Sequence, residues 1–503
     1  MHKWSIAFYL FVVLLLLSCS IFSPRETPTQ PPAFSPTQEI TSPTGEEKPL
    51  PIEEGSTSVP ALNTPGLIQP SDLKYVGAIR LPGGEDRPKT FAYGGNAMTF
   101  TPDGDPSGKN DGFPGSLFIS GHDRIAYGEV PDGNQIAEIN IPVPVISRSL
   151  DDLPVPEFLQ DFVNVLGNHF SGMDEIPRMG MQYANDSKLG PTLFLAFGQH
   201  MQFDDQPTHA LVRANLDPGS FQGEWYIGDQ PSTNTNGYMF ELPQLWADNS
   251  TGSYPFVTGR MRDGGLAGMG PDLFAFQPLQ EDEKPAAAGS HLEYKTLLKY
   301  DSSLTTVDLT HCMTGYQHPD EWEGGAFLED GSGKQAVIFA GTKGTGEQFW
   351  YGYLDADDPT KPCVDTGVTD YVTCRMADGS SCPQTDLSGC CDEASGGCAT
   401  NRGWWSSRFD AQIIFYDPAQ FADVAAGKLE SWQPQPYAVL DLDEFLFNSP
   451  PEWDRQMLGW DDQRRFRIGD VAFDRQNGIL YILELYADGA KPVVHVWQIN
   501  NNE

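Results

Sequence analysis

The chain has 503 residues, of which 69 are acidic and only 31 are lysine or arginine, giving a formal net charge of −38. Nucleic acids and anionic lipid headgroups are bound by basic faces, so this charge argues against both as partners. The part after residue 65 is longer than one ordinary domain, which indicates either two or three domains or one large repeat fold.

The first 18 residues predict an export signal. Lys3 precedes an uninterrupted apolar run at 6–17, which is short for crossing a bilayer and typical of a signal peptide. The sequence LLSC at 16–19 resembles the bacterial lipobox, in which the cysteine thiol is lipidated. We therefore expect a lipoprotein anchored to a membrane of the cell envelope through Cys19, facing the periplasm or the exterior. Simple secretion is the alternative.

Residues 19–65 predict a disordered tether that starts at the lipidated cysteine. The stretch is dense in Pro, Thr, Ser and Glu and offers almost nothing to bury, so the chain should stay extended and solvated. A flexible chain of this length spans about 35 to 40 Å on average. We expect the tether to hold the domain of residues 66–503 away from the membrane.

Most of the cysteines lie in one segment, 363–398. In an oxidising compartment, an even cluster in a stretch rich in Gly, Ser and Asp predicts an insertion stapled by disulfide bonds, whose pairing the sequence leaves open. The zinc alternative requires paired C-x2-C units, which this segment lacks. Cys312 is left over, either buried as a thiol or paired into the insertion. The predicted disulfide cysteines are Cys363, Cys374, Cys382, Cys390, Cys391 and Cys398.

Five copies of one strand pattern predict an all-β fold, a β-propeller. Each copy has a strand usually preceded by glycine, then a nearly continuous apolar strand, then a third strand that often ends in Asp or Asn. The first strands lie at 94–100, 180–184, 237–242, 323–329 and 468–474. The second strands lie at 116–121, 192–198, 254–259, 336–341 and 479–484. The third strands lie at 136–141, 210–217, 296–301, 411–417 and 493–500.

A fourth, outer strand is visible in three copies, at 224–229, 305–310 and 437–443. The chain ends before the last copy acquires one, and the unpaired strand at 73–81 can supply it. Pairing the two chain ends in this way removes a free sheet edge, and this accounting favours five blades over six. Helix is scarce, and the best candidate runs from Asp417 as N-cap, through Pro418, to a stop at Gly427.

One mouth of the central channel is the predicted ligand site. Loops that precede the innermost strands and follow the second strands reach this mouth, where propellers bind ligands. Basic residues there predict a pocket for an anionic or polyhydroxy ligand, although Arg and Asp at a wet mouth also pair with each other. Asn96, Asp123, Arg178 and Glu484 belong to the same polar set. The predicted ligand-binding residues are His122, Arg124, His200, Arg260, Arg262, Asp263, Lys343 and Arg467.

Glu323 and Asp470 are the predicted catalytic pair, because glycoside hydrolases need two carboxyl groups facing one bond. The topology resembles that of the five-bladed glycoside hydrolases, but the chain does not match their full set of three acidic positions. The sequence therefore leaves open whether the protein is an enzyme. Tryptophans near the same mouth either stack on sugar rings or pack between blades: Trp322, Trp404, Trp405 and Trp460.

A calcium site is a further possibility in the first copy. Asp103, Asp105 and Asp111 resemble the first half of a calcium loop, but Pro114 stands where the acidic twelfth ligand belongs. An ordinary polar turn is the alternative. Neither His122 nor His200 has a second histidine at metal-ligand spacing, so no transition metal is predicted.

The whole chain resembles exported bacterial propeller proteins, and this resemblance implies fold and export without implying an activity. The sequence thus predicts a surface-tethered propeller that binds a ligand, with saccharide as a candidate, at its channel mouth. A hydrolase or lyase acting on polysaccharide and a scaffold for protein partners are the alternatives. The oligomeric state stays open.

Overall fold

The structure of the chain is a computed structural model that describes residues 66–499, so the predicted signal peptide and tether lie outside it. For a few strand residues only the backbone is described. Gaps within the range fall at 85, 106–107, 123, 126–127, 130–132, 171, 174–176, 187, 201–205, 261, 263–267, 281–283, 302–310, 352–362, 366–371, 375–403 and 449–463.

Five antiparallel sheets form the blades of a β-propeller, and the first strand, β1 (Leu73–Arg80), belongs to the last blade. Blade 1 consists, from the channel outward, of β2 (Met98–Thr101), β3 (Ser116–Ser120), β6 (Gln135–Asn140) and β7 (Phe158–Asn164). The loop between its second and third strands carries a small hairpin of β4 (Arg124–Ile125) and β5 (Gly128–Glu129).

Blades 2 and 3 follow the same order from channel to rim. Blade 2 consists of β8 (Arg178–Asp186), β9 (Gly190–Gly198), β10 (His209–Arg213) and β11 (Gln222–Ile227). Blade 3 consists of β12 (Met239–Glu241), β13 (Phe256–Thr258), β14 (Leu273–Phe276) and β16 (Tyr294–Leu298). Between them, the short strand β15 (His291–Leu292) pairs in parallel with the outer strand of blade 2.

Blades 4 and 5 complete the ring. Blade 4 consists of β17 (Glu321–Glu329), β18 (Gln335–Tyr351), β21 (Trp404–Tyr416) and β22 (Ala438–Asp441). The far end of β18 is extended by the hairpin of β19 (Cys363–Asp365) and β20 (Val372–Cys374). Blade 5 consists of β23 (Ile468–Asp474), β24 (Ile479–Asp488), β25 (Lys491–Ile499) and the returning β1.

The innermost strands close a ring of five. Each of β2, β8, β12, β17 and β23 contacts the next, and β23 returns to β2. At the rim of blade 5, β1 pairs antiparallel with β25, from Leu73 opposite Ile499 to Arg80 opposite Val493. The predictions of five blades and of an N-terminal strand that closes the last blade are therefore confirmed.

Apolar side chains between neighbouring blades hold the ring together. Between blades 5 and 1, for example, Met98 and Leu117 share a buried cluster with Tyr481 and Val494. Strands such as β24 are buried at every residue, which explains their nearly continuous apolar sequence. Each fully buried large apolar side chain contributes about 1.5 to 3 kcal/mol relative to its exposed state.

Helices are few among the described residues. The predicted helix is confirmed as α2 (Pro418–Ala425), whose N-cap Asp417 accepts a hydrogen bond from the Ala419 backbone amide at 2.9 Å. A second helix, α1 (Gln244–Ser250), follows β12 and was not predicted. Neither α-helix in the described range is long or apolar enough to cross a membrane. Short 3-10 helices lie at Pro70–Asp72, Gly108–Asn110, Leu150–Asp152, Pro218–Ser220 and Ser232–Asn234.

Blade 3 departs from the strand assignment predicted from the sequence. The segment at 296–301, predicted as the third strand, overlaps β16, which is the outer, fourth strand. The third strand is β14, whose four residues follow a stretch rich in glycine that masks its apolar run. The outer strand predicted at 305–310 lies outside the described residues. In blade 1, the outer strand β7 was missed because its residues are largely exposed and mixed in polarity.

The cysteine segment is described only at its first hairpin. The backbone of Cys363 in β19 lies opposite that of Cys374 in β20. The remaining predicted disulfide cysteines lie outside the described residues, and no disulfide bond is present in the part that the structure describes. Cys312 is half-buried against the apolar cluster shared by blades 3 and 4. The disulfide-stapled insertion stays a prediction.

Candidate functional site

The upper end of the channel, defined as the end where the innermost strands begin, is crossed by a buried ion pair. Arg178, the first residue of β8 in blade 2, donates from Nε to both carboxylate oxygens of Glu323 in blade 4, at 3.0 and 2.9 Å. Its guanidinium also lies 5.3 Å from the centre of the Phe466 ring, which precedes β23 in blade 5. Blades 2 and 4 are separated by blade 3, so this ion pair joins two blades that are not neighbours.

A second buried ion pair lies beside the first. Arg262, in the loop between β13 and β14 of blade 3, donates from Nη1 to Oε1 of Glu321 at 2.8 Å. The other carboxylate oxygen of Glu321 accepts no hydrogen bond from the residues that the structure describes. Glu321 also attracts Arg178 electrostatically. We call these four side chains, Arg178, Arg262, Glu321 and Glu323, the upper ion-pair layer.

The predicted catalytic pair lies in and beside this layer. Asp470 is fully buried, and its carboxylate accepts backbone hydrogen bonds from Met98 of blade 1 and from Val471, both at 2.8 Å. Burial raises the pKa of Asp470 well above its ordinary value, and the negative charge of Glu323 raises it further. Burial also raises the pKa of Glu323, against the effect of Arg178. Asp470 thus links blade 5 to blade 1, and a catalytic role for the pair stays a prediction.

Arg260 belongs to the interior of blade 3. It is completely buried and donates from Nη1 to the Asp272 carboxylate at 2.8 Å and from Nε to the Gly270 carbonyl at 3.0 Å. Burial raises the pKa of Asp272 to about 6, although Arg260 opposes the shift. These bonds fix the glycine-containing loop that precedes β14. The predicted role of Arg260 in ligand binding is untested.

Lys343 and Arg467 are likewise paired with neighbouring groups. Lys343 donates to Asp320 at 2.9 Å, in the loop that precedes β17. Arg467 donates to the Phe409 carbonyl at 2.8 Å and pairs with Asp443 at 2.6 Å. Both side chains therefore stabilise blade 4 and its contact with blade 5 in this structure. Whether either also binds a ligand stays a prediction.

The other residues predicted at the upper end are buried or lie outside the description. His122 is buried, with Nδ1 3.4 Å from the Ala92 carbonyl oxygen. His200 and Asn96 are buried, and Glu484 is paired with the imidazole of His495 at 2.9 Å. The side chain of Arg124 is not described, and neither Asp123 nor Asp263 falls within the described residues.

Of the tryptophans considered for sugar stacking, Trp322 packs between blades. Its side chain is 2% exposed and lies in the apolar cluster shared by blades 3 and 4. Only the backbone is described for Trp404 and Trp405, and Trp460 lies outside the described residues.

The three aspartates considered for calcium lie around the turn between β2 and β3. The Asp103 carboxylate accepts hydrogen bonds from the Tyr183 hydroxyl at 3.3 Å and from Asn185 Nδ2 at 3.1 Å. Asp111 accepts from the Phe113 amide at 2.9 Å, and Asp105 is buried. Within the described part of the chain, no three His, Cys, Asp or Glu side chains converge as metal ligands. Calcium binding at this turn stays a prediction.

The lower end of the channel, where the innermost strands finish, holds a cavity of about 310 Å³. Residues of all five innermost strands, together with the turn from β23 to β24, line it. Its size falls within the range of small-molecule sites. The sequence had predicted a ligand site at the opposite, upper end of the channel.

Carboxamides supply much of the polarity of this cavity. Gln182 donates from Nε2 to the Tyr183 carbonyl at 2.7 Å, and Asn185 donates from Nδ2 to Asp103. Their amide oxygens accept no hydrogen bond from the described chain, and the Gln476 side chain is exposed at the rim. A carboxamide both donates and accepts, as a sugar hydroxyl does.

Aromatic rings form the apolar part of the wall. Phe100, Phe240, Phe327 and Phe473 all line the cavity; Phe100 and Phe473 are half-buried, and Phe240 and Phe327 are buried. The guanidinium of Arg475 lies over the Phe327 and Phe473 rings, 6.0 and 5.9 Å from their centres. The cavity therefore offers flat apolar surface beside hydrogen-bonding groups, a combination suited to an amphipathic ligand.

Glu241, the last residue of β12, is the exposed member of a strand whose other residues are buried. Its side chain lines the cavity and is exposed there, and desolvation by the surrounding protein raises its pKa while Arg475 lowers it. Arg475 donates to the Glu241 backbone carbonyl at 3.2 Å but to the Glu329 carboxylate at 2.9 Å. The Glu241 carboxylate has no hydrogen bond or ion pair within the described residues.

The lower end was not predicted from the sequence, although the sequence carries a signal for it. Gln182, Glu241 and Arg475 each lie close to the end of an aligned innermost strand, at 180–184, 237–242 and 468–474 respectively. Because every innermost strand begins at one mouth and finishes at the other, the same alignment that predicted the upper residues also predicts these.

Comparison with known proteins gives no family: the chain matches no protein-family model, and no curated protein matches it. The fold and the site define the class instead. The chain is a five-bladed propeller whose channel is crossed by an ion pair at the upper end and holds a ligand-sized cavity at the lower end.

Proposed function

We propose that this protein is a surface-tethered, extracytoplasmic propeller that binds a saccharide in the cavity at the lower end of its channel. The observation that carries the proposal is the cavity of about 310 Å³ lined by all five innermost strands. The proposal moves the ligand from the upper end, where the sequence predicted it, to the lower end. In this view the upper ion-pair layer holds the ring together.

The chemistry of the wall supports saccharide as the ligand. Sugar hydroxyls need partners that both donate and accept, and the carboxamides of Gln182, Asn185 and Gln476 meet that need. The apolar faces of sugar rings pack on aromatic rings, which Phe100 and Phe473 provide. The Arg178 and Glu323 ion pair lies at the upper end of the channel, so we expect a ligand to enter the cavity from the lower end.

Tethering is the second part of the proposal and depends on the N-terminal sequence. A lipid on Cys19, followed by a flexible spacer to about residue 65, would keep a domain of strongly acidic chain clear of a like-charged membrane. We expect Cys19→Ala to move the protein from the membrane fraction to the soluble fraction. A wild-type protein already found in the soluble fraction would support plain secretion instead.

A glycan microarray probed with the purified protein tests the binding proposal. Ala184 is half-buried in the cavity wall, so Ala184→Trp should fill the cavity and weaken glycan binding at least tenfold. Leu245→Trp is the matched control, because Leu245 is 75% exposed on α1 and does not line the cavity. Equal binding by both variants would contradict the lower site, and silence across the array would contradict saccharide binding altogether.

Polysaccharide hydrolysis or elimination is a second candidate, favoured by one observation. Asp470, with a strongly raised pKa, lies close enough to Glu323 to feel its charge, and a protonated acid beside a carboxylate is a pattern of acid–base catalysis. The test is product release from any glycan that binds. Turnover that survives both Glu323→Gln and Asp470→Asn would exclude this pair as its cause.

A further inference from the structure

Glu241 differs in how it is bonded from the other carboxylates that the structure describes around the lower cavity. Asp474 accepts hydrogen bonds from the backbone amides of Gln476 and Asn477, at 3.0 and 3.1 Å, and from Asn477 Nδ2 at 2.7 Å. Asp103, in the turn after β2, accepts from Tyr183 and Asn185. The Glu241 carboxylate thus has no hydrogen-bond partner among the described residues, whereas the neighbouring carboxylates accept hydrogen bonds.

Arg475, the cation whose charge acts on Glu241, forms no ion pair with the Glu241 carboxylate. Arg475 pairs with Glu329 at 2.9 Å and donates to the Phe327 carbonyl at 3.2 Å. Glu329 in turn accepts from Gln335 Nε2 at 2.7 Å, and Arg475 donates to Glu241 at its backbone carbonyl, at 3.2 Å. The Glu241 carboxylate is exposed in the cavity and is therefore accessible to a cationic group of a ligand.

We propose that the lower cavity recognises an amino sugar, with the protonated amine bound by Glu241 and the ring hydroxyls bound by the carboxamides of Gln182, Asn185 and Gln476. This inference rests on the proposed saccharide binding and names the class of saccharide. A charge-assisted hydrogen bond from an ammonium group is roughly twice as strong as a neutral one. An N-acetylated or unsubstituted sugar offers only neutral donors to the same carboxylate.

Isothermal titration calorimetry with three matched trisaccharides tests this inference. The β-1,4-linked trimers of glucosamine, N-acetylglucosamine and glucose share a backbone and differ at one substituent per ring. We expect the glucosamine trimer to bind wild-type protein at least tenfold more tightly than the other two. Short oligomers and physiological salt limit nonspecific attraction between a cationic ligand and a chain of net charge −38.

Two variants test whether Glu241 is the carboxylate that binds the amine. Glu241→Gln should bind all three trimers with similar affinity, because it removes the charge and keeps the hydrogen-bonding shape. Glu157→Gln, which removes one exposed charge near the rim of blade 1, should keep the wild-type preference. A preference that survives Glu241→Gln would overturn the inference, because general attraction to the acidic surface would then explain it.

Acidification provides an independent readout. The preference of wild-type protein for the glucosamine trimer should shrink as the pH falls through the raised pKa of Glu241, and Glu241→Gln should show no such change. Equal binding of the three trimers by wild-type protein would overturn amine recognition while leaving saccharide binding intact. If none of the three trimers binds while other glycans bind on the array, only the recognition of an amine is overturned. A silent array would overturn the proposed function itself.

Discussion

The guanidinium of Arg178 and the carboxylate of Glu323 meet across the ring axis, with Nε 3.0 and 2.9 Å from the two carboxylate oxygens. Their blades, 2 and 4, are separated by blade 3, and each side chain is at most 4% exposed. The pair therefore joins opposite parts of the ring in a way that contacts between neighbouring blades cannot.

Removing one partner of this ion pair should strongly destabilise the fold. Arg178→Met leaves the Glu323 carboxylate buried without its cation, a change that typically costs about 3 to 5 kcal/mol. Denaturant unfolding measures the loss. Lys428→Met, at an ion pair whose side chains are 69% and 42% exposed, is the control and should cost at most about 1 kcal/mol. Similar small losses for both variants would mean that the pair does not hold the ring.

A double-mutant cycle separates the ion pair from general packing. Arg178→Met combined with Glu323→Leu removes both charges, so the double variant should be less destabilised than the sum of the two single variants. Simple additivity would show that the two side chains are not energetically coupled.

Closure of the ring by β1 depends on a glycine. Gly77 has a φ of +132°, and a Cβ there would lie 2.6 to 2.8 Å from the backbone of Val145. Gly77→Ala should therefore cost about 1 to 3 kcal/mol more than a substitution that meets no atoms. Gly112→Ala is that control, because Gly112 has a φ of +92° and a Cβ added there would meet nothing within 4 Å. Equal thermal stabilities of the two variants would argue against a tight contact between β1 and the 143–146 segment.

Acid sensitivity should originate partly at His209 in β10. Burial lowers the pKa of His209 from 6.5 to about 3, so the unfolded chain binds a proton at pH values where the folded chain does not. Stability is therefore lost as the pH falls from about 6.5 toward 3, with a slope of at most about 1.4 kcal/mol per pH unit. Unfolding measured across this window should show a shallower slope for His209→Gln. An unchanged slope would mean that His209 does not titrate as its burial implies.

The unpaired carboxylate of Glu241 should have the opposite pH dependence. Its folded-state pKa is raised above the ordinary 4.5, so its contribution to stability is present below that value and is lost as the pH rises through the folded pKa. The Glu241→Gln variant cannot ionise at this position, so it does not lose stability in this way as the pH rises. Melting temperatures of the variant relative to wild type should therefore increase from about pH 4.5 upward. A constant difference would indicate that Glu241 is paired in solution.

The strands of the ring could be predicted because burial on both faces leaves a continuous apolar sequence. β24 shows this at every residue, and β1 was recognised as the closing strand because it was left without a partner. β14 could not be recognised, because a strand of four residues is too short to be distinguished from the glycine-rich stretch beside it. Outer strands such as β7 face solvent and lose the pattern.

The site was harder to predict, because its polar residues are defined by partners far away in the sequence. Arg178 and Arg262 were predicted at the upper mouth of the channel, and the structure has them there. Their pairing with Glu323 and Glu321 could not be predicted, because it depends on which blades face each other across the ring. Glu241 is an ordinary strand-end residue in the sequence. Only the arrangement of its neighbours leaves it unpaired, and that arrangement involves side chains from four blades.

The position of the ligand tests the central claim most directly. A crystal structure of the protein soaked with a saccharide selected on the array should show the sugar at the lower end of the channel, in contact with Gln182, Asn185 and Glu241. Saccharide density above the Arg178 and Glu323 ion pair, or outside the channel, would contradict this placement.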